Sequence, residues 1–309
     1  MKGPRLVVIG SCNTDMSVNV RRIPAPGETV GEGTFHNTQG GKGANQAVSA
    51  ARAGGDVTLV ACVGEDAFGL AAVNTLAQEG VHVDHIHQTA VSPTGVALIT
   101  VDNDGENCIA LAPGANQHLC PAHIDEAESC ISRADFALIQ LEIPYETAVY
   151  AIQTAKRLNV PVLFNPAPAR EIPGSVLCDV NVLVVNQAEA AIVAGLDPSH
   201  PHSVERVAEL LEEKGVNKVV ISLGKNGVYA RKNNIGRQIP AFPVEAVDST
   251  GAGDVLCGSL CLRLAQGDSF WEALTFSMAA ASLSVTRAGA QSSAPERLAI
   301  HNFLELNRP

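Results

Sequence analysis

Asp254 follows Gly251-Ala252-Gly253 and precedes the apolar run Val255-Leu256-Cys257-Gly258-Ser259-Leu260-Cys261-Leu262, which reads as a buried helix. The start of a helix carries unsatisfied backbone N–H groups and a partial positive charge, so it accommodates an anion. Glycines let a large anion come close to that backbone. A carboxylate in the first turn, beside such a cradle, is electrostatically unfavourable unless it has a chemical task. The task that fits is taking a proton from a hydroxyl as that hydroxyl attacks a phosphorus. The same residues also read as a plain turn with an aspartate complementing the helix dipole, and this motif alone leaves both readings open.

A second glycine-rich segment, Gly40-Gly41-Lys42-Gly43-Ala44-Asn45, continues into a helical stretch from Ala44 to Arg52. It is not a P-loop, because Asn45 and Gln46 follow where a magnesium-binding hydroxyl would stand. Its amides, ammonium and carboxamide offer donors and an acceptor, which suits a neutral polyol better. The two segments together favour the phosphoryl-transfer reading.

The chain has 309 residues, 46% hydrophobic and 17% charged, enough for a large core in one α/β domain or a domain with an appendage. Aromatic residues make up 4% with one tryptophan, too few for the stacking platforms of single-stranded nucleic-acid binding. A formal net charge of −11 opposes a phosphate backbone, so nucleic acid is not an expected partner and an anionic substrate needs a local site. The run Leu6-Val7-Val8-Ile9 is too short for a signal segment or a membrane span; a cytoplasmic protein without membrane contact is expected. Eight cysteines (Cys12, Cys62, Cys108, Cys120, Cys130, Cys178, Cys257, Cys261) contain no Cys-x-x-Cys pair and read as reduced thiols. Cys257 with Cys261 on a helix, and His85 with His87 on a strand, have metal-compatible spacing, but packing and surface placement are the favoured account.

Apolar runs alternate with helix-length segments along most of the chain. Leu6–Ile9, Val57–Val63, Phe136–Leu141, Val160–Phe164, Val180–Val185 and Lys218–Leu223 read as strands of a sheet covered on both faces. Lys42–Ala53, Leu70–Gln78, Pro121–Arg133, Pro144–Leu158 and Ser203–Lys214 read as the intervening helices. Gly227–Arg231 and Arg237–Ile239 read as an edge hairpin, and Val255–Gln266, Phe270–Val285 and Pro295–Leu306 as closing helices. This rhythm predicts an α/β fold, a doubly wound and mostly parallel sheet flanked by helices. Met16–Gln39, including Glu28-Thr29-Val30, and Thr94–Leu111, with its Asn103-Asp104-Gly105 turn signal, break the rhythm with short alternating strands. They predict a small inserted β-sheet of four or five strands that serves as a lid and buries its outer face against a second subunit, giving a homodimer. The expected division is residues 1–15, 40–93 and 112–309 for the larger domain, and 16–39 and 94–111 for the lid.

Further motifs stand in order along the chain: Gly10-Ser11-Cys12-Asn13-Thr14-Asp15, Pro26-Gly27-Glu28-Thr29, Gln140-Leu141-Glu142, Asn165-Pro166-Ala167-Pro168-Ala169, Asn186-Gln187-Ala188-Glu189, Asp248–Asp254 and Gly289-Ala290-Gln291-Ser292-Ser293. With both glycine segments, they make the chain resemble the ribokinase-like (phosphofructokinase-B-type) carbohydrate kinases from Val7 to about Pro295. The resemblance implies transfer of the γ-phosphoryl group of ATP to the primary 5-hydroxyl of D-ribose. It makes Asp254 the base on that hydroxyl, with the Gly251–Gly253 turn as anion hole through the amides of Ala252 and Gly253. It places sugar contacts at Asn13, Thr14, Asp15, Gly41, Lys42, Gly43, Ala44, Asn45, Glu142 and Asp254. Asp15 is read at the end of the first strand, at the carboxyl edge where α/β sheets bind ligands; without the resemblance it reads as a turn cap.

For ATP the resemblance points to Asn186, to the turn Ser222-Leu223-Gly224-Lys225-Asn226-Gly227, to Gly253 and Asp254, and to Met278. Glu189 is implied as a magnesium contact through water, against the alternative of a helix-surface glutamate. Asp248, Thr250, Ser284, Arg287, Gly289 and Ser293 are implied to wrap an activating potassium ion, mostly through backbone carbonyls. Two positions depart from the family pattern. Val255-Leu256-Cys257 follows Asp254 where a hydroxyl or alanine and then an aromatic are common, and Met278 replaces a polar residue near adenine. A kinase for deoxyribose, another pentose or a nucleoside is the alternative activity. A non-enzymatic sugar sensor is disfavoured, because the base and the anion cradle are intact.

Overall fold

The first strand, β1 (Arg5–Ile9), is buried over four consecutive residues, with Leu6 and Val8 in one hydrophobic cluster and Val7 and Ile9 in another. Alternation of side chains along a strand sends successive residues to opposite faces, so a continuous apolar run requires cover on both. The computed structural model, which describes residues 3–307, supplies that cover. In chain order come β2 (Asn13–Asn19), β3 (Thr34–Gly40), α1 (Lys42–Arg52), β4 (Asp56–Gly64), α2 (Ala67–Gln78), β5 (His82–Thr89), β6 (Gly95–Val101) and β7 (Asn107–Ala112). Then follow α3 (Pro121–Glu126), α4 (Glu128–Ile131), β8 (Phe136–Gln140), α5 (Tyr145–Arg157), β9 (Val162–Asn165), α6 (Gly174–Leu177), β10 (Val182–Asn186), α7 (Gln187–Val193) and α8 (Val204–Glu213). The last elements are β11 (Lys218–Ser222), β12 (Val228–Lys232), β13 (Ile235–Ile239), α9 (Ala252–Ala265), α10 (Phe270–Ser284) and α11 (Arg297–Leu306).

Nine strands form one sheet in the order β13-β12-β11-β10-β9-β8-β1-β4-β5. The strands from β11 to β5 are parallel, and β12 and β13 form an antiparallel hairpin at one edge. Helices α1, α2, α9, α10 and α11 pack on one face, and α3 to α8 on the other. Each fully buried aliphatic side chain contributes about 1.5–3 kcal/mol. The chain winds from β1 towards β4 and β5, then returns to build β8 to β11 on the other side. The crevice at the carboxyl ends of β1 and β8 is therefore the topological switch point, where such sheets bind ligands. The second sheet has four strands in the order β3-β2-β6-β7.

Several expectations need correction. β2 begins at Asn13, so Asn13, Thr14 and Asp15 ride on the small sheet, not on the end of the first large-sheet strand. The chain leaves the large sheet after Gly10, whose amide donates to the carbonyl of Val60 at 3.1 Å. Glu28-Thr29-Val30 is no strand: Glu28 closes the preceding turn, its amide donating to Ala25 O at 2.9 Å, and its carboxylate pairs with Arg22. The helix expected over Pro121–Arg133 is broken at Ala127 into α3 and α4. His82–Thr89 is the outer strand β5 of the large sheet. An edge strand is half exposed and lacks the continuous apolar run of the central strands. His87 on it stacks on His123 with centroids 3.9 Å apart. Cys257 and Cys261 are buried free thiols in the packed helix α9.

Candidate active site

Helix α9 starts at Gly251, whose φ of 76° is left-handed backbone that a glycine adopts without strain. A Cβ at Gly251 would also lie 2.9 Å from Ala290 Cα, so the 289–293 loop abuts the turn directly. The amide of Ala252 donates to Ser249 O at 3.2 Å. The amides of Gly253 and Asp254 have no protein acceptor among the described residues, and a Cβ built on Gly253 meets nothing within 4 Å. The helix start therefore presents open amides at an open surface. Of the two amides expected to form the anion hole, Gly253's is free and Ala252's is engaged.

Asp254, only 7% exposed, is held from both sides of its carboxylate. Asn45 Nδ2 donates to Oδ2 at 3.0 Å and Gln46 Nε2 donates to Oδ1 at 2.9 Å. Both donors come from the first turns of α1, so the two glycine segments meet at one carboxylate. α1 itself starts at Gly41, with φ 88°, and a Cβ there would lie 2.7 Å from Asn13 N. A Cβ at Gly43 would lie 2.6 Å from Ser11 N. These glycines let α1 lie against the end of β1.

Glu142, just beyond β8, organises the opposite wall. Its Oε2 accepts from Ser11 Oγ at 2.6 Å, from Lys42 N at 3.0 Å and from Asn13 Nδ2 at 3.4 Å. Asn116 anchors Asn13: Asn116 Nδ2 donates to Asn13 Oδ1 at 2.7 Å, and Asn116 Oδ1 accepts from Cys12 N at 2.9 Å. With its oxygen accepting from Asn116 and one amide hydrogen directed at Glu142, Asn13 has its second amide hydrogen left for a ligand. Burial, then the neighbouring Glu142 and Asp254, push the Asp15 carboxyl up to about 6. Asp254 raises the Lys42 ammonium above its ordinary range, helped by Glu142 and Glu189, while burial opposes. Thr14 Oγ1 and Asn45 Oδ1 are buried without a hydrogen-bond partner among the described residues. Such groups are costly unless something satisfies them.

Farther along the sheet edge, Asn186 and Glu189 form a capping box on α7. Glu189 Oε2 accepts from Asn186 N at 2.8 Å and Asn186 Oδ1 accepts from Glu189 N at 2.8 Å. Ser222–Gly227 leaves β11 through a tight turn, with Gly227 at φ 91° and Gly224, Lys225 and Asn226 exposed. Met278, 5% exposed, packs in the core cluster of α9 and α10. Asp248 ties the last loops together: Oδ1 accepts from Thr250 N at 2.9 Å and Oδ2 from Gly289 N at 2.8 Å. Burial opposes ionisation of Asp248, but these amides and the Thr250 hydroxyl outweigh it and hold the carboxyl below its ordinary range. Arg287 N donates to Ser284 O at 3.1 Å, and Ser293 Oγ to Ala290 O at 2.9 Å. Among the described residues no group of three or more His, Cys, Asp and Glu is arranged to hold a metal ion. A cavity of about 340 Å³ between α7, α8 and residues 198–202 contains none of the acidic or lysine side chains of this crevice.

Sequence reading assigned no role to Ser11, Gln46, Asn116, Gln140 or Asn165. Ser11, Gln140 and Asn165 lie within the recognised motifs and Gln46 directly follows one, whereas Asn116 carries no local signal and reaches Asn13 across 103 positions.

An α/β sheet with a switch-point crevice, a helix-start anion site and an adjoining polyhydroxyl-type pocket define a sugar kinase. Residues 4–297 match the pfkB family carbohydrate kinase model, and the chain belongs to that family. It is 40% identical over 300 residues to a ribokinase of Haemophilus influenzae, covering 97% of this chain and 98% of that one. It is 33% identical over 303 residues to a deoxyribokinase of Salmonella typhi, covering 98% of this chain and 99% of that one. The structure of an Arabidopsis thaliana ribokinase complexed with ribose and ATP is similar with a TM-score of 0.89 and 30% identity, over 99% of both chains.

Proposed function

We propose that this protein is a ribokinase, transferring the γ-phosphoryl group of ATP to the 5-hydroxyl of D-ribose to give D-ribose 5-phosphate and ADP. The observation that carries the reading is the buried Asp254 carboxylate, held by Asn45 and Gln46 beside the open amides of Gly253 and Asp254. Asp254 takes the proton of the 5-hydroxyl as that oxygen attacks the γ-phosphorus, and the helix-start amides stabilise the charge on the group in flight. Asp15 and Glu142 accept from sugar hydroxyls, while Lys42, Asn13 and the Gly41 amide donate. The polar wall of Thr14 and Asn45 gains in the complex the partners it lacks alone.

Asp254, Glu142 and Glu189 surround the Lys42 ammonium, with Asp15 beside Glu142 and Asp254, so carboxylates outnumber that cation in the crevice that would take a triphosphate. That balance fits a magnesium ion arriving with ATP, which would supply the positive charge that neutralises the phosphates. Glu189 would accept from its water shell, since Glu189 Oε2 is committed to the α7 cap and Oε1 has no protein donor among the described residues. The oxygens of Asp248, Thr250, Ser284, Arg287, Gly289 and Ser293 suit potassium, a hard cation with oxygen ligands, in a loop that touches Gly251. Adenosine lies over the Ser222–Gly227 turn, with Asn186 and Met278 on its borders.

The small sheet acts as lid and dimer surface in this reading. Phe35 and Leu98, 58% and 55% exposed, share its outer face with Met16 and Val18. Among the described residues no helix is long and apolar enough to cross a membrane, and all eight cysteines are free, as a reducing cytoplasm requires. A deoxyribose kinase is the second reading, favoured by the deoxyribokinase relative; the higher identity to a ribokinase and the donor at Asn13 favour ribose. The test is ATP consumption with ribose, 2-deoxyribose, other pentoses, nucleosides and hexoses in one coupled assay. Highest kcat/KM on ribose is expected, and preference for a nucleoside or hexose would overturn the assignment.

A further inference from the structure

Two glutamines behind Asp254 are completely buried, Gln46 on α1 and Gln140 at the end of β8, each 0% exposed. Gln140 Nε2 donates to Gln46 Oε1 at 2.6 Å. Gln46 Nε2 then donates both to Asp254 Oδ1 at 2.9 Å and to Asn165 Oδ1 at 3.1 Å. Asn165 lies beside Gln140 in the sheet and donates through Nδ2 to Val184 O at 2.8 Å, so its oxygen is the end left for Gln46. Both neighbours therefore dictate which end of the Gln46 amide faces Asp254.

Gln140 carries the cost of this order. Its Oε1 is buried without a partner, against Gly10, where a Cβ would lie 3.0 Å from Gln140 Cδ. Turning the Gln140 amide over would set its oxygen against Gln46 Oε1. Gln46 would then have to turn as well, setting its own oxygen against the Asp254 carboxylate and Asn165 Oδ1. A buried acceptor left unsatisfied keeps its desolvation cost, and two opposed acceptors cost more than one idle one. The observed order is the one in which every contact from Gln140 to Asp254 pairs a donor with an acceptor.

We propose that Gln46 is a positioning residue, oriented by Gln140 and Asn165, that fixes the direction of the Asp254 carboxylate against the attacking hydroxyl. Asn45 grips Oδ2 from the ligand side and Gln46 grips Oδ1 from the protein interior, so the carboxylate cannot swing while the sugar binds. A base displaced by about 1 Å can lose on the order of a hundredfold in rate. The inference rests on the assignment of Asp254 as the base, and its test separates the two.

The experiment is a double-mutant cycle on steady-state kinetics with ribose and ATP, using Gln46→Met, Gln140→Met and the double variant, each checked for a cooperative melt. Gln46→Met should lower kcat by roughly 10–100-fold with both KM values within about threefold, the split expected when alignment and not binding is lost. Gln140→Met should lower kcat by a smaller factor, and that factor should vanish in the Gln46→Met background, because its effect passes through Gln46. Gln140→Ala, which leaves room for a water, takes the place of Gln140→Met if the latter does not fold. Equal loss from the Gln140 change in both backgrounds, or a raised KM with unchanged kcat, overturns the relay. In an enzyme that turns over ribose and loses turnover in Asp254→Asn, such a result removes the relay alone and leaves the base assignment standing.

Discussion

Asn45 and Asp254 are 209 positions apart in the chain, and Asn45 Nδ2 donates to Asp254 Oδ2 at 3.0 Å. That bond joins the two glycine-rich segments, so in the proposed mechanism the sugar site and the phosphoryl site share one carboxylate. In that mechanism the shared carboxylate would bring the sugar hydroxyl beside the phosphoryl group, as an in-line transfer requires.

Asp254→Asn should keep one of the two hydrogen bonds to Asp254, because its amide nitrogen cannot accept from the other donor, and should leave sugar and nucleotide binding largely intact. Turnover should fall by on the order of a hundredfold or more. Steady-state kinetics with calorimetric ribose binding checks both halves; near wild-type kcat would remove Asp254 as the base.

The raised carboxyl of Asp15, at about 6 against an ordinary 3.8, has two consequences of opposite sign. The folded protein holds this proton more tightly than the unfolded chain, so Asp15 stabilises the fold below 3.8 relative to neutral pH, and that contribution is lost as pH rises through about 6. Asp15→Asn should therefore raise the melting temperature of the ligand-free protein at pH 7.5 and not at pH 4, with about 2–4 °C for each kcal/mol recovered. Ribose binding should behave in reverse, weakening as pH falls through about 6 because the acceptor is protonated. Melting curves and ribose titrations at four pH values test this, and identical pH profiles for wild type and Asp15→Asn would contradict it.

With Asn13 Oδ1 occupied by Asn116 and one Nδ2 hydrogen directed at Glu142, the second Nδ2 hydrogen of Asn13 is a donor for a ligand. If it meets the 2-hydroxyl region of the sugar, ribose should be preferred over 2-deoxyribose in kcat/KM by about 1–3 kcal/mol of discrimination. Asn13→Met should shrink or invert that preference, chiefly by harming ribose. Asp15→Ala should weaken both sugars. Equal loss on both substrates in Asn13→Met would refute the role.

Potassium added to a buffer free of sodium and potassium should raise the rate with magnesium and ATP several-fold, because the 289–293 loop touches Gly251 at the cradle. Asp248→Asn should blunt that response, since Asp248 Oδ2 holds the Gly289 amide at 2.8 Å. The comparison cation is a bulky organic one, and equal rates in both would make the loop purely structural.

The outer face of the small sheet should be covered by a second copy. Sedimentation at micromolar concentration is expected to give a dimer, and Leu98→Glu, placed among Met16, Val18 and Phe35, a monomer. A fully active wild-type monomer would end this reading.

The sequence by itself determined the large sheet and most of its helices, because apolar runs and helix-period patterns are local consequences of burial on two faces or one. It also placed Asp254 in the first turn of a helix and Lys42 and Asn45 at the start of another, since glycines and helix starts are written in adjacent residues. Only the tertiary structure decided that Asn13, Thr14 and Asp15 belong to the small sheet, because the turn after Gly10 depends on which strands receive them. The same holds for β5, a polar edge strand whose membership is settled by its neighbour β4. The orientation of Asn13 by Asn116, and of Asp254 by Gln46, rests on hydrogen bonds spanning 103 and 208 positions. Local pattern encodes which residues are buried, but the pairing of one buried amide with another is fixed only when the switch point of the sheet brings their strands and helices together.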